Sequence, residues 1–363
     1  MVSIGIEKEI KESLKNWRKI VKQYQVPNTK KALLQLGNSF VPFLGIWVLM
    51  YFTIQWSYTL TLFLALVDGF LLARIFIIQH DCGHHSFVKS KSWNNKIGVW
   101  CSIFTSIPYK YWARVHSFHH GHSGQLEHRD FGDINFLTVK EYRELPLWRK
   151  FTYRVFRAPL FQFVMVPIIY LGISNRIPLV AGKGWKKTSI SQILNNVLIL
   201  GVYALLGYLI GWKTFLFIQL SIVFFFGAIA FWFFYVQHQH EEAYKEWREN
   251  WDYLVASIKG STYYKLPRLF QWLTGNIGFH HIHHLSPRIP NYNLEKCAKE
   301  NPILQKYVTI LTFKESLKCI YHKLWDEDSK RMITFWEFRR NEKVRKASDE
   351  KPKEDAEAPT LVH

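Results

Sequence analysis

Acidic residues and cysteine are both scarce in this chain, and each scarcity excludes something. Against 47 Lys+Arg stand only 28 Asp+Glu, which leaves a formal charge of +19. No nucleic-acid recognition motif accompanies that excess, and the basic residues flank hydrophobic blocks, so nucleic acid is set aside. Basic loops facing anionic headgroups, or docking of an acidic partner protein, suit the balance better. The four cysteines, Cys82, Cys101, Cys297 and Cys319, lie far apart with no C-x-x-C pair, so neither a disulfide framework nor a zinc ribbon is indicated. Reduced thiols in or beside the cytosol are the default.

Charge of either sign is missing altogether from long stretches. No charged residue occurs from Ala32 to Val67, and only Asp68 and Arg74 interrupt the apolar run that continues to Ile78. A crossing of the hydrocarbon core takes about 20 residues, so this block predicts two spans, Leu34 to Gln55 and Tyr58 to Gln79. A second block, Ile193 to Trp212 and Thr214 to Gln237, repeats the pattern with Lys213 between its halves. The expected fold is therefore an all-α integral membrane protein with two transmembrane hairpins, four spans in all, plus interfacial helices and a histidine-rich cytoplasmic cap. The basic N-terminal segment, residues 1–31, lacks the apolar core and cleavage site of a signal peptide. By the positive-inside rule it stays cytoplasmic, so each hairpin goes out and returns. Ile97 to Tyr109 is too short to cross. Ala158 to Asn175 carries Pro159 and Pro167 and has basic flanks, so it is expected to be interfacial or re-entrant. Asp68 and Arg74 should face protein or water within the bundle. The membrane domain is expected over 32–336, and residues 337–363 form a charged tail whose Lys, Glu, Asp and Pro content from Asn341 onward reads as disorder.

Histidine is what the sequence has in excess. Of sixteen, fourteen fall in three regions. The first is His80-Asp81-Cys82-Gly83-His84-His85, where the first hairpin ends. The second is His116-Ser117-Phe118-His119-His120, followed by His122 and His128. The third is His280-His281-Ile282-His283-His284, with His238 and His240 at the end of the second hairpin. A lone histidine near a membrane surface is more often solvated or packed than a ligand, and that reading is kept for His122, His128, His240, His322 and His363. Repetition changes the odds elsewhere. H-x-x-H-H occurs twice, and spacings of three and four place imidazoles on one helical face. Eight histidines from the repeated patterns are too many for one metal, so two metals in one cavity is the natural count. Neutral imidazole suits iron, zinc and copper alike. The Glu-x-x-His pairs of soluble di-iron bundles and the H-E-x-x-H of metalloproteases are both missing.

The ordered set H-x-x-x-H, H-x-x-H-H, H-x-x-H-H, in its layout of hairpin, box, box, hairpin, box, resembles the membrane fatty acid desaturases from about Leu34 to Asp328. Arg74-Ile75-Phe76-Ile77-Ile78, Gly132-Asp133-Ile134, Tyr235-Val236-Gln237-His238, Gly275-Asn276-Ile277-Gly278, Leu285-Ser286-Pro287 and Leu324-Trp325-Asp326-Glu327-Asp328 are similar to segments of the Bacillus-type phospholipid desaturases. The resemblance implies that His80, His84, His116, His119, His120, His280, His283 and His284 bind two Fe2+ ions, with His238 as a ninth ligand. Asp81, His85, Asp130, Asp133, Asn276 and His281 become candidates for orienting ligand rings through the nitrogen not used on the metal, with helix capping or a turn as the competing role for Asp81, Asp130, Asp133 and Asn276.

The implied reaction is O2-dependent desaturation of acyl chains esterified in membrane phospholipids, without a conventional base, because an unactivated methylene has no acidic proton and the cofactor carries the chemistry. The chain contains neither a His-Pro-Gly-Gly haem signature nor a G-x-G-x-x-G loop, so a separate electron donor is expected; by resemblance this is ferredoxin or flavodoxin. The expected setting is a bacterial plasma membrane with the boxes on the cytoplasmic side. A Δ5 regiochemistry is favoured, with Δ9, Δ10 and Δ12 desaturation, or hydroxylation by the same histidine pattern, as alternatives. A metal transporter would hold its ligands near the bilayer midplane on broken helices, which these positions do not match.

Overall fold

The computed structural model describes residues 4–180 and 184–349. Among these described residues four helices are long and apolar enough to cross a membrane: Thr29–Thr53, Tyr58–Gly83, Lys186–Ile210 and Trp212–His238. Their starts follow from local chemistry. Asn28 and Ser57 lie in extended conformation, and their side chains accept the N–H of Lys31 at 3.0 Å and Leu60 at 3.2 Å, satisfying donors that the first turn leaves open. The second hairpin turns at Gly211, whose φ of +86° favours glycine; the turn thus falls two residues ahead of Lys213, where the charge alone suggested it. At 25 to 27 residues these helices are about 38–40 Å long, longer than the roughly 30 Å hydrocarbon core. The surplus carries His80 and His238 past the apolar layer.

The second and fourth spans form the centre of the bundle. Gly69 permits their approach: a Cβ there would stand 2.8 Å from Cβ of Phe225. Asp68 and Arg74 both face inward, as expected. Arg74 donates to Asn38 Oδ1 at 3.1 Å and to the Trp272 carbonyl, with its guanidinium 4.1 Å above the Trp272 ring.

The apolar stretch that follows the first box belongs to a 15-residue helix, Lys91–Thr105, packed on the second span. The proline-bearing segment is a bent pair, Leu147–Phe156 and Phe161–Ser174, with a 56° break and π-helical turns at Phe161–Met165 and Tyr170–Ser174. Both flanks of its second half are tied to the histidine end of the bundle. Arg157 reaches Gln239 Oε1, one residue beyond His238, at 3.4 Å. Arg176 donates to the carbonyl of Ser106, and the neighbouring Thr105 hydroxyl and Ile107 carbonyl bond Gln79, next to His80. Between these anchors Pro167 and Leu171 stand against Gly227 of the fourth span.

The cap adds five short strands to an otherwise helical chain. Leu137–Thr138 runs parallel to His322–Asp326, which pairs antiparallel with Arg331–Thr334, and Thr262–Tyr264 runs parallel to Thr309–Leu311. The N-terminal segment folds onto this cap: Ile10, Leu14 and Val21 share a core with Ile282 and Leu285. At the other end, helix Phe335–Asp349 continues through the segment from Asn341 that composition suggested was irregular. Thr334 and Glu337 cap each other, Phe338 is buried, and Glu342 pairs with Arg143 at 2.8 Å. Those contacts order a stretch that has little apolar content of its own. The rest of the tail, with His363, lies outside the described residues.

A re-entrant course for the bent pair predicts Lys110, Lys186 and Lys259 on one side of the bilayer. Single cysteines at those positions should react with a membrane-impermeant maleimide from the cytoplasmic side only; labelling of position 186 from outside would mean that the bent segment crosses.

Candidate metal centre

Nine histidines meet where four elements end or begin: the second span, the helix Tyr109–His122, the fourth span and the short helix His280–Leu285. They sort into two groups. In one, ring nitrogens of His80, His84, His116, His120 and His283 all lie within 4.8 Å of one another; in the other, those of His119, His238 and His284 do. His280 joins the second group, its Nε2 being 2.9 Å from Nε2 of His238 and 3.1 Å from Nε2 of His284. The groups adjoin, since the rings of His120 and His284 are 4.3 Å apart.

The doublet in H-x-x-H-H now has a physical meaning. Successive helical residues are rotated by 100°, while residues four apart return to nearly the same face. Accordingly His116 and His120 serve the first group and His119 the second; His280 and His284 serve the second and His283 the first. Each H-x-x-H-H helix therefore contributes to both groups, and the two boxes do so in opposite proportions. His80 and His84, four apart, both face the first group.

The donor set fits a metal. Burial, reinforced by the neighbouring imidazoles, holds His84, His116, His120, His280, His283 and His284 well below the usual histidine range. His119 is lowered by burial too, against an opposing pull from Asp133. The rings are thus neutral, with lone pairs free to ligate. Nε2 of His84 and both nitrogens of His119 are buried without any hydrogen-bond partner, a costly state that a bound cation would relieve.

Among the candidate orienting residues, Asp81 takes that position. Its Oδ1 accepts from Nδ1 of His80 at 3.0 Å, leaving the other ring nitrogen for the group, and its Oδ2 accepts from the backbone and side-chain nitrogens of Asn291 at 2.6 and 2.8 Å. The remaining five do not hydrogen-bond a ligand ring among the described residues. Asp130 holds Asn135 at 2.6 Å and Asp133 holds the Ile134 N–H at 2.7 Å, both local turn contacts. Asn276 adopts φ +57° and serves the turn before the third box. His85, at φ +55°, is exposed past the end of the second span. His281 lies on the other side of its helix near Tyr263, with its pKa pushed down to about 3 by burial.

His240 is buried but belongs to neither group. The helix ends at His238, and Gln239 leaves helical geometry, so a turn, and not helical rotation, carries His240 away. His122 stacks on Phe118 at 3.9 Å and bonds its carbonyl. Sequence reasoning missed Asn291, which lies 210 residues from the Asp81 it anchors, and Trp112, stacked 4.5 Å from His116. Trp112 was findable from its i, i+4 spacing; Asn291 had no local signal.

These features define two adjoining histidine groups, each able to hold a metal ion, at one end of a bundle of membrane-length helices. The pattern of the fatty acid desaturase family matches residues 56–313, and the chain belongs to that family of oxidoreductases. It is 42% identical to a fatty acid desaturase of Bacillus subtilis (strain 168), over 91% of this chain and 93% of that protein. It is 27% identical to an sn-1 oleoyl-lipid 12-desaturase of a Picosynechococcus species, covering 63% of this chain and 65% of the other. With an sn-1 acyl-lipid omega-3 desaturase (ferredoxin) of a Nostoc species it shares 26% identity, over 72% and 71% respectively.

Alanine at any of the nine grouped histidines should lower the metal bound per purified chain, and His238→Ala should do so far more than His240→Ala or His322→Ala. Elemental analysis decides; full occupancy in His238→Ala would take it out of the centre.

Proposed function

We propose that the chain desaturates acyl chains esterified in membrane phospholipids, using O2 and two irons held by His80, His84, His116, His120 and His283 in one group and by His119, His238, His280 and His284 in the other. The observation that carries this reading is a cavity of about 1080 Å3. It touches His80, His116 and His280, then runs between the spans along Ala73, Phe76, Phe226, Gly227 and Ala230. A concave, largely apolar space against the metal groups suits a methylene chain.

Bound iron would supply the oxidising chemistry at a C–H bond that no side chain could deprotonate. The balance is one O2, two electrons and two protons taken up, two vicinal hydrogens removed, a C=C bond formed and two waters released. The chain's own residues have three tasks. Asp81, locked by Asn291, holds His80 in one tautomer. Trp112 fixes the ring plane of His116. Phe76, Trp112, Phe226 and Phe234 wall the cavity with apolar surface, which excludes water from the reacting carbons.

The cavity's depth favours a double bond near the carboxyl end. Phe226 precedes His238 by twelve residues on one helix, about 18 Å, so long room for the distal chain lies beyond the metals. This supports Δ5 over Δ9, Δ10 or Δ12, in line with the resemblance to the Bacillus-type enzymes. The boxes face the cytoplasm of a bacterial plasma membrane, the side on which the basic N-terminal segment is held. The electron donor is ferredoxin or flavodoxin: the printed name of the Nostoc relative includes ferredoxin, and a formal charge of +19 attracts an acidic partner.

Expression in a host without a desaturase of its own should yield monounsaturated phospholipids with the bond at Δ5, read by gas chromatography with double-bond localisation. His119→Ala and His283→Ala should reduce product to background. A hydroxylated chain as the product would overturn the desaturase reading, and a bond at Δ12 would overturn the argument from depth.

A further inference from the structure

The cavity has a second, polar end that the oxidation of a methylene does not use. It is lined by Asn135, Arg149, Thr152, Tyr153, Arg157 and Gln162, and it lies beneath the helix Leu147–Phe156. That helix buries none of its residues. Leu147, Trp148, Phe151 and Phe156 are all exposed, and Arg149, Lys150 and Arg154 are interspersed among them. Aromatic, aliphatic and basic residues mixed on one short unburied helix are the composition of a segment lying at the headgroup level of a bilayer. The polar end of the cavity therefore opens where lipid headgroups are.

Inside that opening is a buried cation without a counter-charge. Arg157 is 4% exposed. Its Nη1 donates to the Asn135 carbonyl at 3.0 Å and to Gln162 Oε1 at 3.2 Å; its Nη2 donates to Tyr235 Oη and Gln239 Oε1, both at 3.4 Å; its Nε has no partner. All these acceptors are neutral. Two further buried lysines stand close by, their charged forms disfavoured by burial. Lys323 donates to the same Tyr235 hydroxyl at 3.1 Å, and Lys245 donates to the His238 carbonyl at 3.4 Å. None of the three forms an ion pair among the described residues. Asp133 acts on Lys245 from a distance while its Oδ1 holds the Ile134 N–H. A buried guanidinium with only neutral acceptors is unfavourable on its own, and it matches phosphate oxygens in geometry as well as charge.

We infer that Arg157, with Arg149 at the rim and Lys323 behind it, forms the subsite for the phosphodiester of the lipid whose acyl chain fills the cavity. The inference builds on the acyl-lipid reading above and adds what recognises the lipid. It also accounts for register. Arg157 bonds Gln239, the residue after His238, so the phosphate is held level with the metal groups and the carbons next to the ester are the ones presented to them.

The test is a binding measurement on the full chain in detergent micelles, using a fluorescent phosphatidylglycerol, a diacylglycerol with the same acyl chains, and inorganic phosphate alone. Wild type should bind the phospholipid at least about tenfold more tightly than the diacylglycerol and should not bind inorganic phosphate. Arg149→Gln, at an exposed position that leaves the fold intact, and Arg157→Lys, checked by its unfolding midpoint, should each shrink that preference at least about threefold while the diacylglycerol affinity stays constant. Equal binding of both lipids by wild type, or an unchanged preference in both variants, overturns the subsite; so does tight binding of inorganic phosphate, which would separate the anion site from the acyl cavity. The cellular lipid profile keeps the two ideas apart. A wild type that makes a double bond yet binds both lipids equally loses the subsite and keeps the reaction, whereas one that makes no double bond loses the reaction whatever it binds.

Discussion

Everything in this protein is arranged around nine imidazoles held nitrogen to nitrogen at one end of the helical bundle. Ring nitrogens stand 2.9 to 3.1 Å apart within each group, a distance at which two lone pairs repel unless a proton or a cation lies between them. Hydrogen bonds can satisfy such rings only in pairs, and His119 has no partner at all. A divalent cation answers several rings at once, which makes the centre a site whose folding and metal binding are one free-energy balance.

Holding that geometry requires rigid supports from several directions. Two supports are spans long enough to project beyond the hydrocarbon, ending at His80 and His238. The other two are the helices carrying the H-x-x-H-H boxes, each feeding both groups. Behind them lies a buried bracket: Asp81 grips His80, Asn291 grips Asp81, and Gln35 of the first span donates to Asn291 Oδ1 at 3.0 Å. A chain of three side chains thus links the membrane bundle, the first box and the segment after the third box. Replacing any link would leave a buried polar group unpaired, at a cost of about 1–3 kcal/mol.

The cavity extends the same logic to the substrate. Its apolar arm follows the second and fourth spans, whose approach at Gly69 sets the floor, and its polar end meets an unburied amphipathic helix with Arg157 behind it. Both ends belong to one cavity that also touches His80, His116 and His280. A molecule with one long apolar tail and one anionic head is the shape that satisfies both ends.

Features that depend on neighbours in sequence were legible before any coordinates. Uncharged runs of about 20 residues announce spans because the bilayer tests hydropathy locally, and the spacing of the box histidines announces metal ligands because a helix repeats every 3.6 residues. The four spans and the box pattern of His80, His84, His116, His119, His120, His280, His283 and His284 therefore stood in the residues themselves, whereas His238 came only with the family resemblance. The order of the helix beyond Asn341 did not, because it depends on Arg143 and a buried Phe338. Nor did the separate fates of Asp81 and Asn276, one gripping a ligand ring and the other turning the chain. The division of nine histidines into two groups, the bracket through Asn291, and the cavity between Arg157 and the metals arise from contacts between residues dozens to hundreds of positions apart. Only the packed chain decides such contacts, because a side chain's partner is chosen by the distance left after the helices have docked, and that distance is written in no local pattern.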